Sequence, residues 1–238
     1  MITINDLSKN YGPQKVLDQV QLTIPDGQIF SLLGPNGSGK TTLLKSILGI
    51  ISPAPPSEII FNNLSVVGKR GYKRHIGYMP QNPKFPPHLQ VKELVTLFEK
   101  LRQKKGVHKE KLIEDLKMIP FLNKPFNQLS GGMVQKVNIL LCFMFETPLL
   151  ILDEPTLGLD PQVTFYLKKL IREKKAEGKT ILFTSHVMAE VEELADQMAL
   201  LVEGKIYTVI SPEALKKQKG TATLEEALHQ FWKETSAP

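Results

Sequence analysis

The sequence predicts an α/β fold: a parallel-sheet core covered by helices, with an N-terminal antiparallel β subdomain and an inserted α-helical subdomain. Three observations carry this expectation. Short apolar runs that read as strands alternate with segments of helical period. One of those runs passes directly into a glycine-rich loop and then a helix. From about Val91 to Phe145 the apolar spacing becomes helical, and strand-like runs resume only afterwards.

In chain order, Val16-Leu-Asp-Gln-Val-Gln-Leu-Thr-Ile24 alternates apolar and polar residues, as a half-buried strand does. Pro25-Asp-Gly27 is a turn, and Ile29-Phe-Ser-Leu-Leu33 is a short apolar strand before the glycine-rich loop. A helix is expected from about Lys40 to Leu48, then a proline-rich loop over Ile51 to Ser57, and short strands at Ile59 to Phe61 and Ile76 to Met79. Val91, Leu94, Val95, Phe98 and Leu101 form one helical stripe, and Leu112, Leu116 and Ile119 another. Strands return at Leu149 to Leu152, Thr180 to Thr184 and Gln197 to Val202, separated by helices near Gln162 to Ala176 and Val187 to Ala195. Thr223 and Glu226 have the spacing of a capping box opening a last amphipathic helix. The expected division is a domain over 1–210, with 1–82 and 147–210 as core and β subdomain and 83–146 as helical subdomain. A short helical tail over 211–238 follows.

The 238 residues are enough for a substantial core, and 42% hydrophobic with 23% charged residues is ordinary for a soluble domain. A net charge of +6 suits polyanionic small ligands and is too small and dispersed to indicate nucleic acid. The single cysteine, Cys142, lies in an apolar run and reads as a small buried hydrophobe; no disulfide framework or CxxC metal site can form within the chain. His75, His88, His108 and His229 lack metal-ligand spacing, and the basic residues Arg102, Lys104, Lys105, Lys109 and Lys111 read as a solvated face. No signal-peptide pattern opens the sequence and no apolar run reaches membrane-spanning length, so the expected location is cytoplasmic.

Gly34-Pro35-Asn36-Gly37-Ser38-Gly39-Lys40-Thr41 matches GxxxxGK[ST], and Thr42 continues it. Glycine lets the backbone turn its N–H groups inward around phosphate oxygens. Lys40 is of the right kind to reach β- and γ-phosphates, and the Thr41 hydroxyl to hold Mg²⁺. The helix that begins there adds its positive end. ATP and Mg²⁺ are the expected cofactors. Leu149-Leu-Ile-Leu-Asp153-Glu154 places two carboxylates at the end of an apolar strand. Asp153 fits a position near Mg²⁺, and Glu154 fits a base that polarises the attacking water.

Leu129-Ser130-Gly131-Gly132 opens a further helical segment, which a single-site nucleotide binder does not need. With it, the chain resembles the ATP-binding subunit of ABC transporters over nearly all of residues 1–210. The resemblance implies a P-loop NTPase (RecA-like) core and Mg-ATP hydrolysis. It also implies a second ATPase subunit, as a homodimer, that sandwiches two ATP molecules. Ser130, Gly131 and Gly132 would contact the γ-phosphate of ATP held on the other subunit, and Asp160, in Leu157-Gly-Leu-Asp160, would run along the dimer interface. Tyr11 resembles the aromatic residue that stacks on adenine, with Val16 beside the ribose. Gln81 resembles the glutamine that touches Mg²⁺, and His186 the histidine that contacts γ-phosphate and aligns the water. Met133 stands where the family usually has glutamine, so a weaker trans contact with retained hydrolysis is expected.

The resemblance further implies integral membrane permease subunits contacting Lys84 to Phe98, and a location peripheral to the inner face of the membrane. The Met133 variant, Asn138, Phe85-Pro-Pro-His-Leu-Gln-Val91 and Glu93-Leu94 resemble exporter-type ATPases, in particular the one serving the copper-processing transporter of nitrous oxide reductase maturation, with a periplasmic accessory protein reached through the permease. Drug, polysaccharide or gliding-related exporters remain open, as does a cytosolic assembly factor without a membrane partner.

Overall fold

The computed structural model describes residues 1–235, so residues 236–238 of the expected tail lie outside the described residues. In chain order it has β1 (Ile2–Tyr11), β2 (Gln14–Ile24), β3 (Ile29–Leu33), α1 (Lys40–Ile47), β4 (Glu58–Phe61), β5 (Leu64–Ser65), β6 (Ile76–Met79), α2 (Val91–Arg102), α3 (Lys109–Asp115) and α4 (Gly131–Phe143). There follow β7 (Leu149–Asp153), α5 (Pro161–Ala176), β8 (Thr180–Thr184), α6 (Met188–Leu194), β9 (Gln197–Val202), β10 (Lys205–Ile210), α7 (Pro212–Lys219) and α8 (Leu224–Thr235). The α/β class is as expected. The chain divides into two compact units, one made of residues 1–73 with the segment from Thr180 onward, the other of residues 74–179.

In the first unit β2, β1, β4 and β5 form an antiparallel sheet in that order. Ile2, Ile4, Leu7, Leu17, Val20, Leu22 and Ile24 are buried along β1 and β2. The alternation of β1 is interrupted by register shifts, with Asp6 at φ 50°, which hides the strand from a period-two reading. β3 pairs in parallel with β8 on one side and β9 on the other, and β10 returns antiparallel to β9. All five residues of β3 and of β8 are buried, which explains why neither shows the alternation of a half-exposed strand. Helices α6, α7 and α8 pack together through Val191, Leu215, Leu224, Ala227 and Leu228. The capping box of α8 is present: Thr223 N–H donates to Glu226 at 3.3 Å and Glu226 N–H donates to the Thr223 hydroxyl at 3.2 Å.

In the second unit β6 and β7 pair in parallel and α4 packs on β6, with α2 and α3 against α4. Helix α2 opens with Gln90 N–H donating to the Glu93 carboxylate at 2.8 Å and buries Val91, Leu94 and Val95. Two expected stripe residues are corrected. Leu101 is 72% exposed, because in the last turn of α2 it is Arg102 that faces inward, donating to the Ile76 carbonyl at 2.6 Å and lying over the Phe145 ring. Ile119 is 68% exposed, because it starts a tight 3₁₀ turn out of phase with α3, and Met118 and Phe121 take the buried positions.

Candidate functional site

In the first unit the glycine-rich loop connects β3 to α1. Gly39 caps α1 at φ 105°, a conformation side chains other than glycine's resist, and a Cβ there would lie 2.8 Å from the Val16 carbonyl oxygen. Gly34 is fixed by space instead: a Cβ would stand 2.0 Å from the Leu201 carbonyl oxygen. Gly37, at φ 83°, has open space around it. The Lys40 ammonium donates to the carbonyls of Gly34 at 2.7 Å and Pro35 at 3.0 Å, lying across the loop. The Ser38 hydroxyl is buried without a hydrogen-bond partner among the described residues. A buried orphan hydroxyl inside a loop of this kind fits an anion-accepting site. Pro35, Asn36, Gly37 and Thr41 are exposed and Thr42 is half-buried.

Tyr11 ends β1 with its ring 49% exposed and the Lys9 ammonium 5.5 Å from its centroid. Val16, on β2, is half-buried. His186 follows β8 on an exposed turn. That turn is pinned by Ser185, whose hydroxyl donates to the buried Glu190 carboxylate at 3.2 Å and accepts from Val187 N–H at 3.0 Å. Sequence reasoning passed over Ser185 and Glu190, whose spacing of five is not that of a capping box.

In the second unit Asp153 ends β7 and is 7% exposed, with Glu154 next to it at φ 50°. A non-glycine residue in that region stores backbone strain, which collects at functional sites. Tyr78, on β6, is pushed up to about 12 by burial and by the charge of Asp153. Gln81 lies in the loop after β6. Its backbone carbonyl accepts from Gln135 Nε2 at 3.4 Å, and the preceding Pro80 carbonyl accepts from Asn138 Nδ2 at 2.8 Å. Helix α4 thus holds the Gln81 loop from below, a role that residue type alone does not reveal.

Ser130 is the N-cap of α4, its hydroxyl accepting from Met133 N–H at 3.4 Å, with Gly131 exposed and Gly132 half-buried in the first turn. The oxygen acts as cap while its proton stays available for donation. Asp160 caps α5, accepting from Val163 N–H at 2.9 Å. A groove of about 430 Å³ runs along α2, lined by Leu89, Lys92, Glu93, Thr96, Leu97 and Lys100. No helix among the described residues is long and apolar enough to cross a membrane.

Residues 17–157, more than half of the chain, match the family model described as ABC transporter. The chain is 34% identical over 229 residues to the lantibiotic transport ATP-binding protein of Streptococcus pyogenes, covering 95% of each. It is 34% identical over 223 residues to the bacitracin transport ATP-binding protein of Bacillus licheniformis, covering 92% of this chain and 72% of that protein. Among solved structures, an ATP-binding subunit of an ABC transporter superposes with a TM-score of 0.88 at 30% identity, over 97% of this chain and 98% of that one. A dimeric ATP-binding cassette in a post-hydrolysis state with ADP and Pi superposes at 0.78 and 26% identity, over 89% and 98%.

Proposed function

Because the chain belongs to the ABC transporter family as an ATP-binding subunit, we propose that it is the ATP-hydrolysing motor of an exporter-type transporter, closing on a second copy around two ATP molecules. The observation that carries this is the pairing, in one chain, of a phosphate loop with an orphan Ser38 hydroxyl and a helix start, Ser130 to Gly132, with amides left for an anion.

On this reading the backbone of residues 34–42 and Lys40 hold the nucleotide phosphates, with Tyr11 and Val16 on the base and ribose. Thr41, Gln81 and Asp153 supply only oxygen donors, the chemistry Mg²⁺ prefers. When bound, Mg²⁺ neutralises charge on the β- and γ-phosphate oxygens. Glu154 takes a proton from the attacking water, and His186 orients that water against the γ-phosphate. Ser130, Gly131, Gly132 and Asp160 serve the ATP of the other copy. Met133 offers no side-chain amide there, so the trans contact is weaker than with glutamine and hydrolysis is retained. The division into a core with β subdomain (1–82, 147–210), a helical subdomain (83–146) and a tail belongs to the same proposal.

The groove along α2, with its apolar walls and two lysines, supports docking of a membrane permease on residues 84–98, which would hold the chain at the inner face of the membrane. Names of relatives concern lantibiotic and bacitracin transport and Nod factor export, and the last supports export as the direction. The narrower reading, copper processing for nitrous oxide reductase with a periplasmic accessory protein, gains no support from them, and we leave the cargo undefined. Isolating the tagged full chain from its native membranes tests the proposal. An integral membrane protein is expected to co-purify, and the complex to release phosphate from ATP only with Mg²⁺. Purely soluble partners would replace the motor reading with that of an assembly factor, and a copper-maturation protein in the complex would restore the narrower one.

A further inference from the structure

Residues 85–92 and 122–130 of the second unit are joined far more closely than the chain distance between them requires. Phe126 N–H donates to the Leu89 carbonyl at 2.9 Å and Asn127 N–H to the Pro87 carbonyl at 3.0 Å. In return, Val91 N–H donates to the Lys124 carbonyl at 3.2 Å and Lys92 N–H to the Leu122 carbonyl at 3.0 Å, around an antiparallel bridge between Gln90 and Pro125. Phe85 then sets its ring edge-on against two others: Phe126 at 5.2 Å and 85°, and Phe98 of α2 at 5.8 Å and 80°. Edge-to-face pairs have a preferred geometry, so the trio fixes orientation as well as proximity.

Phe126 stands at the start of the 3₁₀ turn over Phe126–Gln128, and Leu129 N–H donates back to its carbonyl at 3.2 Å. The next residue is Ser130, the cap of α4. Any displacement of Phe85 is therefore passed through one ring contact and one tight turn to the Ser130 hydroxyl. The antiparallel bonds leave little room for the two segments to slide independently.

We propose that Phe126 is a positioning residue for the Ser130–Gly132 turn, locked to Phe85 so that contact made by a partner on residues 84–98 sets the placement of that turn. This rests on the proposed function, in which the turn reaches the ATP of a second copy. Pulling on Phe85 moves Ser130; docking that immobilises Phe85 holds Ser130 ready.

Two measurements on the full chain separate this proposal from the reading it rests on. In the first, amide hydrogen exchange is followed for residues 129–134 with no nucleotide or partner present. Phe85→Leu and Phe126→Leu are each expected to speed exchange there about three- to tenfold, the size of one lost aromatic pair. Phe126→Tyr should restore the slow rate, and the double leucine variant should not exceed Phe85→Leu alone, which already loses the Phe126 contact along with that to Phe98. Unchanged exchange at 129–134 in Phe85→Leu, or additive effects in the double variant, overturns the proposal whether or not the chain dimerises.

In the second, ATP-dependent dimerisation is read by light scattering in a Glu154→Gln background. Phe126→Leu should need about three- to tenfold more ATP for half-maximal dimer, with the affinity of the monomer for a fluorescent ATP analogue unchanged. An equal ATP requirement with and without Phe126→Leu overturns the proposal. A parent chain that stays monomeric at saturating ATP counts against the motor reading, and the exchange measurement then decides the role of Phe126.

Discussion

Asn138 of α4 donates its side-chain amide to the backbone carbonyl of Pro80 at 2.8 Å, and the same amide lies 3.3 Å from the Gln135 side-chain oxygen. Asn138 is 1% exposed, so no water replaces it as donor. The bond ties the helix that begins at Ser130 to the loop that carries Gln81. A segment assigned to the partner's nucleotide and one assigned to the chain's own are thereby held on one support.

Asn138→Ala should therefore act on stability and chemistry together. It removes the donor from the carbonyl of the half-buried Pro80, a loss of about 1 kcal/mol. A lower melting temperature is expected, with kcat for ATP hydrolysis reduced more than the affinity for ATP, because the loop is loosened while the phosphate loop is untouched. Normal melting and normal kcat would show that the bond positions nothing.

The glycines of the phosphate loop should separate by cause. Gly34→Ala puts a methyl group 2.0 Å from the Leu201 carbonyl oxygen, so the strand or the loop must move. Gly37→Ala meets no atom within 4 Å and carries only the strain of φ 83°, roughly 1–2 kcal/mol. Thermal melting should rank Gly34→Ala well below Gly37→Ala. ATP binding should be lost in the first and weakened in the second. Equal melting temperatures would contradict the close approach.

Glu146 lends the second unit a pH dependence. The Lys179 ammonium, 2.7 Å away, and after it His108 hold its carboxyl down at about 2, against an ordinary value of 4.5. A depressed folded-state value stabilises the fold above the unfolded value and ceases to do so as pH falls toward the folded one. The stability difference between wild type and Glu146→Gln should shrink as pH drops from about 5 toward 2. Partial exposure keeps the effect small and sensitive to salt. Urea unfolding from pH 3 to 7 measures it, and a difference independent of pH would remove Glu146 as its source.

What the sequence disclosed were features whose cause is local. The strand–loop–helix of residues 29–47, the acidic pair after β7 and the Thr223–Glu226 cap each depend on neighbours a few residues away, and each stands where expected. β1 escaped because its bulges break the alternation, and β10 because Tyr207 and Val209 point outward on an edge strand at 48% and 42% exposure. Leu101 and Ile119 fitted a helical stripe in sequence, and their exposure depends on which neighbouring residue turns inward. The proposed site residues were read from motifs. The supports were not: Asn138 to Pro80, Ser185 to Glu190 and Phe85 to Phe126 are contacts made by folding, and Phe and Asn at those positions look like ordinary packing.

The central claim, that the chain is a motor that closes on a copy of itself and reopens by hydrolysis, is tested most directly by Glu154→Gln. The substitution keeps shape and removes the proposed base. Phosphate release from Mg-ATP should fall by about 10²- to 10⁴-fold, and the ATP-bound protein should accumulate as a dimer in light scattering. Phosphate release at the wild-type rate would contradict the account, as would a protein that remains monomeric at saturating ATP.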